Sequence, residues 1–136
     1  MDPFENFANT PSNRFLGMRL VSRSAERSEI ELPMRAEFAQ EEGVVHGGLL
    51  STLADSAAVY LIGPDLGPDR AMTGIEFKMN FFAPGDPTGP ALHAVAKPLR
   101  IGRTIAVCES EVHQGDRRLA KGTFTYMLRE RTKRPS

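Results

Sequence analysis

Residues 40–63 read QEEGVVHGGLLSTLADSAAVYLIG, and this stretch decides the fold. Leu50, Leu53, Ala54, Ala57, Ala58 and Leu61 follow the i, i+3, i+4, i+7 spacing of a packed helical face. Leu49, Val59 and Ile62 put apolar groups on other sides, so protein wraps most of this helix. Gly47 and Gly48 mark its start, and Gly63-Pro64 stops it. A membrane span wants ~20 mostly apolar residues. Here His46, Ser51, Thr52, Asp55 and Ser56 interrupt the run, which reads as a buried helix.

Outward from the helix the pattern changes to period two. On the N-terminal side, Glu29–Met34 sets Ile30, Leu32 and Met34 against Glu29, Glu31 and Pro33. Gly17–Ser24 carries Met18 and Leu20 on one face, and Pro33 marks a strand end or an exposed edge. The residues up to Ser12 form a lead-in or a short helix. On the C-terminal side, Ile75, Phe77, Met79 and Phe81 alternate with Glu76, Lys78 and Asn80. Residues 83–90 (APGDPTGP) are a loop by their turn residues. Strands are predicted at Ala91–Leu99, Thr104–His113 and Arg118–Leu128, joined by turns at Ile101-Gly102-Arg103 and Gln114-Gly115-Asp116. The six methionines and eight phenylalanines fall mostly at core positions, although Met72, Phe77 and Phe82 can line a pocket. The basic, Pro-ended tail at about 129–136 is expected to be loosely ordered.

Short turns make the strands antiparallel neighbours. One helix against one curved antiparallel sheet of five or six strands is an α+β architecture. Residues 1–136 read as a single domain, since domains most often run ~100–150 residues. One helix leaves much of such a sheet uncovered, so packing alone predicts a dimer. Seventeen Lys+Arg balance seventeen Asp+Glu, which argues against a nucleic-acid partner. The opening Met1-Asp2-Pro3-Phe4-Glu5 is acidic and lacks the apolar segment of a secretory signal. A soluble, cytoplasmic protein without a membrane partner is the expectation. The lone Cys108 excludes an internal disulfide framework and a Cys-rich zinc site. It sits mid-strand between Val107 and Glu109 and reads as a buried structural thiol. His93 and His113 lack metal-site spacing, so no metal is expected.

The helix carries one carboxylate, Asp55, whose surface neighbours are Ser51, Thr52, Ala58 and Val59. Two readings are open: an acid on the one solvated stripe, or a functional carboxylate of the kind that clusters at active sites. Gly47 and Gly48 let another group approach the backbone at the helix start. The unpaired N–H groups and the positive end of the dipole there favour an anion, such as the oxyanion of an acyl-transfer step. A plain strand-to-helix turn is the other reading. Asp55 lies eight residues beyond Gly47, ~12 Å along a helix at ~1.5 Å per residue. The two cannot easily converge on one reacting group within one helix. They can if two helices lie antiparallel across a two-fold axis, Gly47 of one chain facing Asp55 of the other.

His46-Gly47-Gly48, six further residues, then Asp55-Ser56-Ala57-Ala58 resembles the signature of hotdog-fold acyl-CoA thioesterases, closest to the phenylacetyl-CoA thioesterase-like (PaaI-type) group. Asn80-Phe81-Phe82-Ala83-Pro84 is similar to the family's strand ending in Asn-aromatic-x-x-Pro. Arg100-Ile101-Gly102-Arg103-Thr104 resembles its Gly-Arg turn, and Ala120-Lys121-Gly122-Thr123-Phe124 its last strand. The resemblance implies a hotdog fold, with one long helix wrapped by the curved sheet, and self-association as a dimer or dimer of dimers. It implies a coenzyme A thioester as substrate and no separate cofactor. By the same resemblance Asp55 is the catalytic carboxylate, as general base or nucleophile. The Gly47 N–H polarises the thioester carbonyl, and His46 shapes the turn. Gln40 falls on a polar amide position where phenylacetyl-type enzymes carry Asn and arylcarbonyl types carry Gln paired with Glu, so this chain mixes the two. Thr73 and Gly74 fall where some relatives place a hydroxyl that orients water. Coenzyme A is implied to run over Phe81, Phe82 and Pro84 and over Arg100, Gly102, Arg103 and Thr104, with Gly48 and Gly74 also among the substrate-binding residues. Without the family, the two arginines read equally well as solvated turn residues.

A thioester is already activated, so one carboxylate and one oxyanion donor can suffice. No Gly-x-Ser-x-Gly elbow is present. Two alternatives remain: a non-catalytic acyl-CoA-binding module on the same fold, and a hotdog enoyl-CoA hydratase. The acid at position 55 favours catalysis, and its spacing from His46 favours a thioesterase over a hydratase.

Overall fold

The computed structural model describes residues 2–132. Two short helices open the chain, α1 (Pro3–Asn9) and α2 (Pro11–Leu16). Each has proline in its first turn, and the Asp2 side chain accepts from the Phe4 N–H, as helix starts favour. Gly17 ends α2 at φ 79°, so the predicted lead-in extends further into the chain and the first strand starts later than Gly17. β1 (Arg19–Arg23) and β2 (Ser28–Leu32) follow, then a 3-10 turn (Ala36–Phe38) and the long helix α3 (Gly47–Ile62). A second 3-10 turn (Gly63–Asp65) leads to β3 (Arg70–Phe81), β4 (Leu92–Ile101), β5 (Ile105–Gln114) and β6 (Arg117–Glu130).

The six strands form one antiparallel sheet in the order β1-β2-β4-β5-β6-β3. The helix lies over β2, β4 and β5, reaches β6, and leaves β3 largely uncovered. Period-two alternation builds the inner face. Ile30 and Leu32, Leu92, Ala94 and Ala96, then Ala106, Cys108 and Val112 are all buried. Small buried residues line both elements of the interface, Ala54, Ala57 and Ala58 on α3 and Ala94, Ala96 and Ala106 on β4 and β5, and removing this surface from water is the main driving force. Ser28 is buried in the same layer, and its hydroxyl donates to the Ala57 carbonyl. Pro98 sits in β4 beyond the last β2 pair, Ser28 with Ala96, next to an irregularity in the β4–β5 register, as prolines in sheets favour edges and bulges.

Two expectations are corrected. Arg129 and Glu130, assigned to a loose tail, close β6, and the Arg131 N–H donates to the Asp69 carbonyl at 2.8 Å. Pairing with β3 holds this end; residues 133–136 lie outside the described residues. The phenylalanines are not mostly core. Phe7, Phe38 and Phe124 are buried, whereas Phe4, Phe15, Phe77, Phe81 and Phe82 are exposed. Of the methionines among the described residues only Met18 is buried; Met34, Met72 and Met79 are partly covered and Met127 is exposed. The reason is topological. β3 is an edge strand and the helix lies over other strands, so its apolar side chains are covered only in part, as where Phe77 stacks on Phe124 of β6.

Candidate active site

The turn into α3 is pinned from both sides. The Val45 N–H donates to Gly85 O and the His46 N–H to Phe38 O, each at 2.9 Å. His46 caps the helix, its Nδ1 accepting the Gly48 N–H at 2.9 Å. That bond requires an unprotonated Nδ1. The expected role of His46 in shaping the turn has this physical form, and it occupies the Gly48 donor. The Gly47 N–H has no acceptor among the described residues. It points out of the positive end of a 16-residue helix, where a developing negative charge is favoured.

Gln40 closes the preceding turn. Its backbone N–H donates to Val44 O at 2.8 Å, and its side-chain oxygen accepts from the Glu42 N–H. Gly43 supplies the left-handed φ of 83°. A cleft of about 340 Å³ opens here, lined by Gln40, Gly47, Leu50, Phe81, Phe82 and Pro84 among others. The structure thus brings together five residues expected at the site, Gln40, Gly47, Phe81, Phe82 and Pro84, with His46 and Gly48 at the same helix start. A larger opening of about 420 Å³, past the C-terminal end of α3 by Tyr60, Leu66 and Met72, contains neither Gly47 nor Asp55.

Asp55 stands two turns along α3 and is partly buried. Its Oδ1 accepts a hydrogen bond from the Tyr126 hydroxyl at 2.5 Å. Tyr126 is 4% exposed. Burial, then the bond to Asp55 and its charge, raise the phenol well above its ordinary value. Burial, with the charges of Asp55 and Glu109, pushes the Cys108 thiol up to about 12, which keeps it protonated at neutral pH. Sequence reasoning missed Tyr126. The signal was there: Phe124, Tyr126 and Leu128 alternate on one strand, and a buried tyrosine needs a partner for its hydroxyl. Only the fold sets that strand beneath Asp55.

The register sorts the remaining candidates. Gly74 pairs with Tyr126 on the inner face. Thr73 pairs with the exposed Met127, on the outer face, and its hydroxyl accepts from Arg129 Nε at 2.8 Å. One chain therefore does not bring Thr73 to Asp55. In the β4–β5 turn, the Gly102 N–H donates to Ile105 O at 2.8 Å. Thr104 O accepts from the Leu128 N–H at 2.7 Å, and Arg103 O from the Arg70 side chain. Arg70, Arg100, Arg103 and Arg129 gather near this end, and none pairs with a carboxylate among the described residues. Ile101, Ala106, Tyr126 and Gly74 share one row of the sheet, while Phe81 and Ala120 share another six residues along β6. That is ~20 Å at ~3.3 Å per residue. One chain thus holds the two expected coenzyme A segments at opposite ends of the sheet.

A long helix laid across a six-stranded antiparallel sheet is the hotdog architecture of PaaI-like thioester hydrolases. The chain belongs to the thioesterase superfamily, whose family model matches residues 42–121. It resembles a solved single-residue variant of the phenylacetic acid degradation protein PaaI from Thermus thermophilus. That likeness has a TM-score of 0.78 and 25% identity, covering 87% of this chain and 98% of that one. It is 26% identical over 97 residues to 1,4-dihydroxy-2-naphthoyl-CoA hydrolase of Listeria monocytogenes, 71% of this chain and 77% of that protein. It is also 33% identical over 101 residues to a Deinococcus radiodurans protein with "esterase" in its name, 74% of this chain and 66% of that protein. Among the described residues no helix is long and apolar enough to cross a membrane.

Proposed function

We propose that the protein hydrolyses an acyl-, aryl- or arylacetyl-CoA thioester to the free acid and coenzyme A, in a site shared by two protomers. One observation carries this reading: the two halves of the expected site lie toward opposite ends of β3, an edge strand whose outer side has no partner strand among the described residues. Ile75, Phe77 and Phe81 on β3 are each about half exposed, at 51%, 52% and 53%. Antiparallel pairing of two β3 edges about a two-fold axis sets the Phe81 end of one protomer beside the Gly74 end of its partner. Gly47 and the Phe81–Pro84 cleft of one chain then face Asp55 and the Arg100–Thr104 turn of the other.

In such a site the thioester carbonyl lies against the Gly47 N–H. Asp55 takes a proton from water, and the water oxygen adds to the carbonyl carbon. The oxyanion is stabilised by Gly47 and the helix dipole. The tetrahedral intermediate collapses, the C–S bond breaks, and the thiolate leaves and is protonated. The chemistry asks for no cofactor beyond the coenzyme A that the substrate carries. Arg100 and Arg103 suit its phosphates, and Phe81, Phe82 and Pro84 its pantetheine arm.

The test is thiol release from a panel of aryl, arylacetyl and short- to long-chain acyl-CoAs, with Asp55→Ala alongside. Turnover lost in the variant supports the reading and ranks the substrates. Acyl-CoA bound without turnover would move the assignment to a binding module or to acyl carrier protein substrates. A hydroxyacyl product from an enoyl-CoA would indicate a hydratase.

A further inference from the structure

The carboxylate at the centre of this reading is gripped by a residue that the hydrolysis itself does not consume. We propose that Tyr126 is a positioning residue: its hydroxyl holds Asp55 Oδ1, fixes the carboxylate's orientation, and leaves Oδ2 as the oxygen that meets water. This inference rests on the thioesterase reading above.

Three observations carry it. First, Tyr126 is anchored in the sheet interior, with Ala106 of β5 on one side and Gly74 of β3 on the other. A β-carbon on Gly74 would stand 3.9 Å from the ring, an ordinary contact distance, so the phenol packs beside the β3 backbone. Second, Tyr126 is almost fully buried, and its hydroxyl makes one hydrogen bond among the described residues, to Asp55 across 71 positions of sequence. A carboxylate on a single short side chain has two soft torsions, and a rigid donor removes most of that freedom. Third, nothing competes for the grip. Asp55 forms no ion pair among the described residues. The other titratable group beside it, Cys108, stays neutral. Tyr126 is itself too buried to ionise near neutrality, so it remains a donor throughout turnover and does not act as the base.

Tyr126→Phe removes only the hydroxyl and tests the role. The expected result is a kcat lower by on the order of tenfold to a hundredfold, with KM within about twofold and a melting temperature lowered by no more than the loss of one buried hydrogen bond. In an Asp55→Asn background the same change should cost little further, since the two residues act as one unit. A kcat within about twofold of wild type, or a loss matched by a raised KM and a larger fall in melting temperature, overturns the proposal. A second measurement leaves Tyr126 in place. With only two tyrosines in the chain, ¹³Cζ labelling resolves Tyr60 and Tyr126. The Tyr126 resonance should move in Asp55→Ala while that of Tyr60 stays, and an unmoved Tyr126 signal overturns the bond. Wild-type protein that releases no thiol from any acyl-CoA sinks the thioesterase reading instead, a failure distinct from a wild-type enzyme indifferent to Tyr126→Phe.

Discussion

The Phe81 ring lies directly against Gly47: a β-carbon on Gly47 would stand 3.4 Å from the ring's nearest carbon. The edge strand and the helix start therefore meet with no room to spare, at the donor proposed to polarise the thioester. Gly47→Ala keeps the N–H but forces the ring or the turn to give by a few tenths of an ångström. Misplacement on the ångström scale costs up to ~100-fold in rate, so kcat/KM should fall about tenfold. Melting temperature should hold, because alanine suits a helix better than glycine. Steady-state kinetics beside a thermal melt checks both.

Asp55 should carry the chemistry from the opposite protomer. Asp55→Ala should lower kcat by on the order of 10²–10⁴-fold and leave a folded protein. Mixing it with Gly47→Val subunits should restore about a quarter of wild-type activity after subunit exchange, since half the dimers are mixed and each has one intact site. No rescue after verified exchange would place both groups in one chain.

The β3 edge should be the assembly surface. Ile75 occupies an irregularity between Gly74 and Glu76 and is 51% exposed. A charge on a sheet edge is a standard block to edge pairing. Ile75→Lys should yield a monomer by analytical ultracentrifugation, with thiol release lost in parallel. A dimer that stays active would put the interface elsewhere.

The outer face of the sheet should confer acid sensitivity. Burial opposes ionisation of Glu29, but hydrogen bonds from Arg27 and His93 and their charges outweigh it and hold the carboxyl below the usual range. Glu111 is held low in the same way by His113 and Lys121. A depressed folded-state value means the contribution is present above the unfolded value, ~4.3 for Glu, and is lost as pH falls through the folded one. Glu29→Gln should therefore melt lower than wild type at neutral pH, and the two should converge at acid pH. A gap that persists in acid would assign the loss to packing instead.

Gly102 should be structurally irreplaceable in its turn. A β-carbon there would stand 2.8 Å from Ile105 O, against fixed backbone. Gly102→Ala should cost ~1–3 kcal/mol in denaturant unfolding and displace the Arg100–Thr104 segment. An unchanged unfolding midpoint would show that the turn can rearrange.

The legible parts of the fold were local. The helix over Gly47–Ile62 shows in the spacing of Leu50, Leu53, Ala54, Ala57 and Ala58, because a helix returns to the same face every three to four residues. β2 shows in Ile30 and Leu32, because a strand does so every two. The same rule marked Ile75–Phe81 as a strand and then misled. Alternation says that one face is apolar, not what covers it, and here the helix lies over other strands. The tail misled for the converse reason: RERTKRPS carries no apolar signal, yet Arg129 and Glu130 find partners in β3 through backbone bonds that need none.

The sequence by itself determined a long buried helix, an antiparallel sheet with short turns, a donor at the helix start and an acid two turns on. Each of these follows from periodicity, turn chemistry or spacing along one element. Only the tertiary structure decided that Tyr126 grips Asp55, that Thr73 faces away from it, and that Phe81 and Arg103 sit at opposite ends of the sheet. Those facts depend on strand order and register. Register is set by how whole faces bury against one another, so residues far apart in sequence meet only once every strand has taken its place.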